Sequence, residues 1–188
     1  YKAAIIELDA GLVERELSQV YNSIGELYLA TSTYDSAETY FNGAVQTALK
    51  IKNSRELGYS ASNLAETYFR QSDYKNAVKY YRGALKYAQR SDDKSLQLSI
   101  LQRTGGVFRT LGDYNSALNQ FEDALAYSKN FKDSNITLTL MSEIGQIYHQ
   151  IGEVANARDY FNDAVNLANR DATPKDAFTL LSLGEVYK

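Results

Sequence analysis

Two stretches of the chain carry hydrogen-bonding and ionic side chains at helical intervals, turned away from their apolar neighbours. In SRELGYSASNLAETYFR, residues 54–70, Leu57, Ala61, Leu64, Ala65 and Tyr68 recur three, four or seven positions apart and make one apolar face. Ser62, Glu66, Phe69 and Arg70 fall off that face. Gln102, Arg103 and Arg109 do the same in the stretch that follows. The chemistry these groups offer is recognition without bond making. Amides and guanidinium groups can hold the backbone or a carboxylate of an extended peptide, and Phe69 offers an apolar contact.

Residues suited to covalent or metal chemistry are scarce. His149 is the only histidine and has no second imidazole with which to share a metal. Cysteine is absent, which removes disulfides, thiol catalysis and thiolate metal sites. Asp92-Asp93 and Glu122-Asp123 are adjacent in sequence, and consecutive helix positions do not face each other. No phosphate loop or dinucleotide glycine pattern occurs. Gly105-Gly106 falls in mid-helix register, where close packing and an open groove position explain it better. The expectation is a non-catalytic protein with no catalytic residue, metal or cofactor.

The elements that position the polar faces announce themselves by repetition. Alanine falls at 37, 77, 117 and 157, and again at 44, 84, 124 and 164. Aromatic residues stand at 41, 81, 121 and 161, and at 28, 68, 108 and 148. Small residues stand at Gly25, Ala65, Gly105, Gly145 and Gly184. The unit is forty residues and holds two amphipathic segments around a polar turn. In unit two these are residues 54–70 and 74–90, separated by Gln71-Ser72-Asp73, which suits an antiparallel helix hairpin. Methyl-sized residues such as Ala77 and Ala84 let the helices approach, and the ring between them fills the hollow.

The turns carry their own signals. Gly112 in GDYNSA can take positive φ and end one helix, while Asp113 can cap the next. Ser32 and Ser72 replace that glycine in two units, so those turns are expected to close differently. Pro174 suits the first position of a helix, with Thr173 as its cap. The boundaries are a half repeat at 1–12, full repeats at 13–52, 53–92, 93–132 and 133–172, and a half repeat at 173–188. Both ends fall in mid-unit, so the chain is expected to be a piece of a longer array.

Composition sets the partners. Apolar residues make up 44%, charged residues 23%, and the net charge is −3, which points to neither nucleic acid nor an anionic membrane. No run approaches the roughly 18 apolar residues of a membrane span, and none of these residues is expected to act as a secretory signal. The lack of cysteine fits a reducing compartment, and the expected location is cytoplasmic. Charge is uneven along the array. Residues 53–92 carry seven Lys or Arg against four Asp or Glu, and residues 133–172 carry two against six. The stripe Lys75, Lys79, Arg82, Lys86 and Arg90 reads as a solvated outer face.

Asn63-Leu64-Ala65-Glu66-Thr67-Tyr68, Asp73-Tyr74, Ala77, Tyr81 and Ala84-Leu85 resemble a tetratricopeptide repeat, and Leu101, Thr104-Gly105, Phe108, Gly112-Asp113-Tyr114, Ala117, Phe121 and Ala124-Leu125 repeat the pattern. The forty-residue unit is similar to the long form found in kinesin light chains, spindle-orientation adaptors and bacterial regulators. The resemblance implies an all-α, right-handed superhelical solenoid of antiparallel hairpins. Its first helices would line a concave groove for a peptide or a partner helix. By register, the binding residues would be Asn22 and Glu26 in unit one, with Leu29 nearby. Unit two would add Tyr59, Ser62, Asn63, Glu66, Phe69 and Arg70. Unit three would add Gln102, Arg103 and Arg109, with Ser99, and unit four Gln146 and His149.

Two departures from the family pattern narrow the reading. The Asn63 position is Ser23, Arg103 and Glu143 in the other units, which argues against a regular asparagine ladder on a peptide backbone. The groove positions hold no lysine, which argues against the clamp that grips a terminal carboxylate. A protein-interaction scaffold is the leading expectation, with a peptide, a helix or another segment of the parent chain as partner. The alternatives are a sensory or regulatory module of a larger signalling protein and a self-assembling array stacked end to end.

Overall fold

A computed structural model describes residues 2–129, 131 and 134–170, with side chains from Leu12 onward. The half repeat expected at 173–188, with Pro174, lies outside the described residues. Eight helices follow one another: α1 (Lys2–Ala30), α2 (Tyr34–Lys50), α3 (Ser54–Arg70), α4 (Tyr74–Arg90), α5 (Lys94–Thr110), α6 (Tyr114–Ser128), α7 (Ser134–Gln150) and α8 (Val154–Arg170). No strand occurs among the described residues. The fold is an all-α repeat solenoid. The helices expected over 54–70 and 74–90 are α3 and α4. Residues 1–12, expected as a half repeat, are continuous with the next helix from Lys2 onward, within α1.

The chain forms two compact units, Tyr1–Arg103 and Thr104–Lys188, which divide within α5. In the first, α1 packs on α2 and α3, α2 on α3, and α3 on α4. In the second, α6 packs on α7, and α7 on α8.

The forty-residue period has a finer origin than the alanines suggest. Positive φ recurs at Ser32 (58°), Lys52 (51°), Ser72 (62°), Asp92 (52°), Gly112 (74°) and Gly152 (81°), a spacing of twenty residues or twice that. Each turn closes with one pair of backbone bonds. At the second turn of unit two, Asp92 N–H reaches the Gln89 carbonyl and Asp93 N–H the Ala88 carbonyl. Ser72 N–H reaches Phe69 and Asp73 N–H reaches Tyr68, and Gly112 and Asp113 bond likewise to Arg109 and Phe108. The serine turns therefore close as the glycine turns do, contrary to expectation. The paired bonds satisfy helix-end carbonyls and hold a non-glycine residue in the left-handed region. Two 17-residue helices and two three-residue turns make the unit.

The following helix is then capped. Asn53 accepts from the Arg55 and Glu56 amides, Asp73 from Asn76, Asp93 from Leu96, and Asp113 from Ser116. Such caps contribute about 1 kcal/mol each. Thr33 makes no side-chain cap bond.

The seam inside each hairpin is dry. Ala37, Ala44, Ala77, Ala84, Ala117, Ala124, Ala157 and Ala164 are all completely buried. Phe41, Phe121 and Phe161 pack against Gly25, Gly105 and Gly145, where an added Cβ would stand 2.6, 2.9 and 2.7 Å from the ring. Unit two is the exception, with Ala65 and Tyr81 at these positions, both buried. Stacked tyrosines repeat along the same hairpins: Tyr28 on Tyr40, Tyr68 on Tyr80 and Tyr148 on Tyr160, at 5.4, 5.1 and 5.6 Å between centroids.

Candidate functional site: a trough on the first helices

Helices α1 and α3, with the Lys94–Arg103 part of α5, wall a concavity in the first unit. It comprises two cavities, of about 490 and 220 Å³, that share Glu26, Tyr59, Leu96 and Ser99. The larger reaches the starts of α3 and α5 through Arg55, Glu56, Asp93 and Ser95, and borders Gln19, Asn22 and Ser23 on α1. The smaller runs toward the helix ends through Leu29, Ser62, Asn63, Glu66, Arg70 and Arg103.

The polar side chains of this wall are held by one another across helices. Asn22 is buried and donates to Ser60 Oγ at 2.9 Å. The Asn63 amide donates to Glu26 at 3.2 Å and reaches Asn22 at 3.5 Å. Tyr59 O–H donates to Glu26 at 2.7 Å. Arg103 reaches Glu66 at 2.9 Å, as do Arg70 from the same helix and Tyr81 O–H from the hairpin seam. Arg55 reaches Asp93 at 2.6 Å, an exposed pair at the N-terminal end of the trough.

The carboxylates differ in electrostatics. Burial pushes the Glu66 carboxyl up, but hydrogen bonds from Arg70 and Tyr81 and the charge of Arg103 outweigh it, so it stays below the ordinary carboxylate range. Burial, followed by the hydrogen bond to Glu26, pushes the Tyr59 hydroxyl up. In the second unit, burial of Glu143 prevails over its ion pair with Arg109, and its carboxyl is raised.

The structure thus brings together Asn22, Glu26, Tyr59, Ser62, Asn63, Glu66, Arg70 and Arg103 on one concave wall. Two candidates of the same unit lie outside both cavities. Phe69 packs against Tyr74 at 5.9 Å between ring centroids, and Gln102 is half-buried. In the second unit Arg109 is committed to Glu143, Gln146 is half-buried, and His149 is exposed at the end of α7. Gln19, Arg55, Glu56, Asp93, Ser95 and Leu96 were missing from the expected set. Arg55 and Glu56 stand one helical turn before Tyr59, on its face, and that spacing was the available signal. Among the described residues no group of three or more His, Asp or Glu side chains is placed to hold a metal ion, and no helix is long and apolar enough to cross a membrane.

Comparison with known families agrees with this architecture. Three tetratricopeptide repeat models match, over residues 18–50, 56–130 and 105–177. The chain belongs to the tetratricopeptide repeat family. Repeats of this family generally serve as protein-interaction modules rather than as catalysts.

Among solved structures, a putative kinesin light chain with nearly identical TPR-like repeats from Podosopora anserina superposes with a TM-score of 0.75 at 16% identity. That match covers 93% of this chain and 86% of the other. Aspartyl phosphate phosphatase F from Bacillus subtilis gives 0.81 at 16% identity, over 92% and 45%. A Rap protein complexed with competence and sporulation factor gives 0.68 at 16%, over 94% and 49%. The chain spans about half the length of the last two. No curated protein matches the chain significantly.

Proposed function

We propose that the trough of the first unit binds a segment of another polypeptide, so that the chain acts as a protein-interaction scaffold. The observation that supports this best is the concavity of about 490 Å³, walled among others by Asn22, Glu26, Tyr59 and Ser99. A cleft of that size with a few fixed polar groups and an exposed aromatic ring suits several consecutive residues of an extended or helical peptide. The cross-helix bonds hold those groups in place before a partner arrives, which lowers the ordering cost of binding. The complex of the Rap protein with competence and sporulation factor supports a peptide or protein partner for arrays of this kind.

Ser99 is half-buried, borders both cavities and makes no side-chain hydrogen bond among the described residues. Ser99→Trp should therefore obstruct the trough where its two cavities meet and leave its walls intact. Clones retained by the wild-type chain from a displayed random peptide library should lose binding to this variant while its far-UV circular dichroism is unchanged. Equal retention of the same clones by both proteins would place the binding surface elsewhere.

A further inference from the structure

The pairing of charges within the trough is uneven, and the unevenness says something about the occupant. Each arginine bordering it is committed to a carboxylate: Arg70 and Arg103 to Glu66, and Arg55 to Asp93. Two carboxylates have only neutral donors. Glu26 is exposed and accepts from Tyr59 O–H and the Asn63 amide. Glu56 is 8% exposed, and its only side-chain hydrogen-bond partner among the described residues is the Gln19 amide at 3.4 Å. Neither carboxylate has a cationic partner among the described residues. Both border the larger cavity, with the Tyr59 ring, 43% exposed, at the same wall.

The Glu56 carboxylate has one long bond to an amide and borders the cavity, so a cation delivered by a ligand would meet it with no competing positive partner. From this, and resting on the reading of the trough as a peptide site, we infer that the occupant presents a lysine or arginine side chain to Glu26 and Glu56. Its aliphatic stem would lie along Tyr59 while its charged head reaches the two carboxylates. Arginines counted along the helices suggested a grip on a partner's carboxylate. In the folded unit Arg70 and Arg103 already share a carboxylate partner, Glu66, whereas Glu26 and Glu56 have no cationic partner among the described residues.

The test uses the 188-residue chain and a displayed random peptide library, followed by sequencing of retained clones. Clones that depend on Ser99 should be enriched in Lys or Arg at one position several-fold over the input library. A synthetic peptide of the best clone should bind roughly tenfold more weakly when that Lys or Arg is replaced by Met, and similarly more weakly to Glu26→Gln or Glu56→Gln. Glu26 is exposed, so Glu26→Gln keeps the test valid should Glu56→Gln perturb the start of α3. Ser99-dependent clones without basic enrichment would overturn this inference and leave the trough as a peptide site. Absence of Ser99-dependent clones would overturn both.

Discussion

Arg103 reaches Glu66 across 37 residues, the same interval by which Asn63 reaches Glu26. The two bonds are successive rungs of one ladder, each tying a first helix to the first helix of the unit before it. In the next register Glu143 would meet position 106, which is glycine, and it pairs with Arg109 one turn further on. The first two rungs change chemistry from amide–carboxylate to guanidinium–carboxylate while keeping the same place. A polar position that looked irregular in sequence is regular in function: it joins neighbouring units.

Glu66 and Glu143 should give opposite pH signatures. The Glu66 carboxyl is lower in the folded protein than in the unfolded chain. Its stabilisation is present above the unfolded value of about 4.3 and is lost as pH falls through the folded value. The Glu143 carboxyl is raised, so its favourable contribution is present below the unfolded value and is lost as pH rises through the folded one. Urea denaturation at pH 7 and pH 4 checks both. On acidification Glu66→Gln should close its stability gap to wild type, and Glu143→Gln should lose ground to it. Parallel behaviour of the two variants would contradict the assigned environments.

Gly105→Ala should destabilise the second unit. The new Cβ would stand 2.9 Å from the buried Phe121 ring, so the ring or the helix must shift to admit it, as the pair Ala65 and Tyr81 does in unit two. Overpacking of this kind costs about 1–3 kcal/mol. Adding Phe121→Leu to Gly105→Ala should cost less than the sum of the two single changes, because the smaller side chain vacates the contested space. Strict additivity in denaturation experiments would show that the seam does not press on that glycine.

Much of this was legible because hairpin packing repeats the same steric demand at fixed places. Gly25, Gly105 and Gly145 are small for one reason, and the rings at 41, 121 and 161 are large for the same reason. The helix limits of α3 and α4 followed from apolar spacing and the short turn at Gln71–Asp73. The trough was only partly legible. Helical spacing places Glu66 and Arg103 off the apolar face but does not say that they face each other. Phe69 looked available for a ligand, yet it serves the hairpin by packing on Tyr74. Pairings between units depend on how helices are offset along their axes, and periodicity within one helix carries no such information.

Ser72→Gly should stabilise the first unit by up to about 1 kcal/mol. Ser72 holds φ at 62°, a region that disfavours side chains and suits glycine. Its turn bonds are made by backbone atoms and survive the change. The gain is reduced by the greater freedom of glycine in the unfolded chain. Ser72→Val should instead lower the melting temperature, since a β-branched residue fits that conformation worst. A lower melting temperature for Ser72→Gly would indicate that the hydroxyl contributes more than the backbone relief.

Tyr81→Phe separates the seam from the trough. Phenylalanine already occupies this place at 41, 121 and 161, so the ring should pack without loss. What disappears is the hydroxyl that runs from a completely buried ring to Glu66 at 2.9 Å. Glu66 keeps Arg70 and Arg103, so the cost should be that of one hydrogen bond to a charged acceptor, about 1.5–3 kcal/mol at most. The Glu66 carboxyl should also rise, because one of the bonds that hold it down is gone, and a carboxylate-resolved NMR titration reads this directly. If the hydroxyl also positions Arg103 through Glu66, the same variant should weaken any peptide that depends on Ser99. Unchanged titration of Glu66 in Tyr81→Phe would mean that the buried ring and the trough are uncoupled.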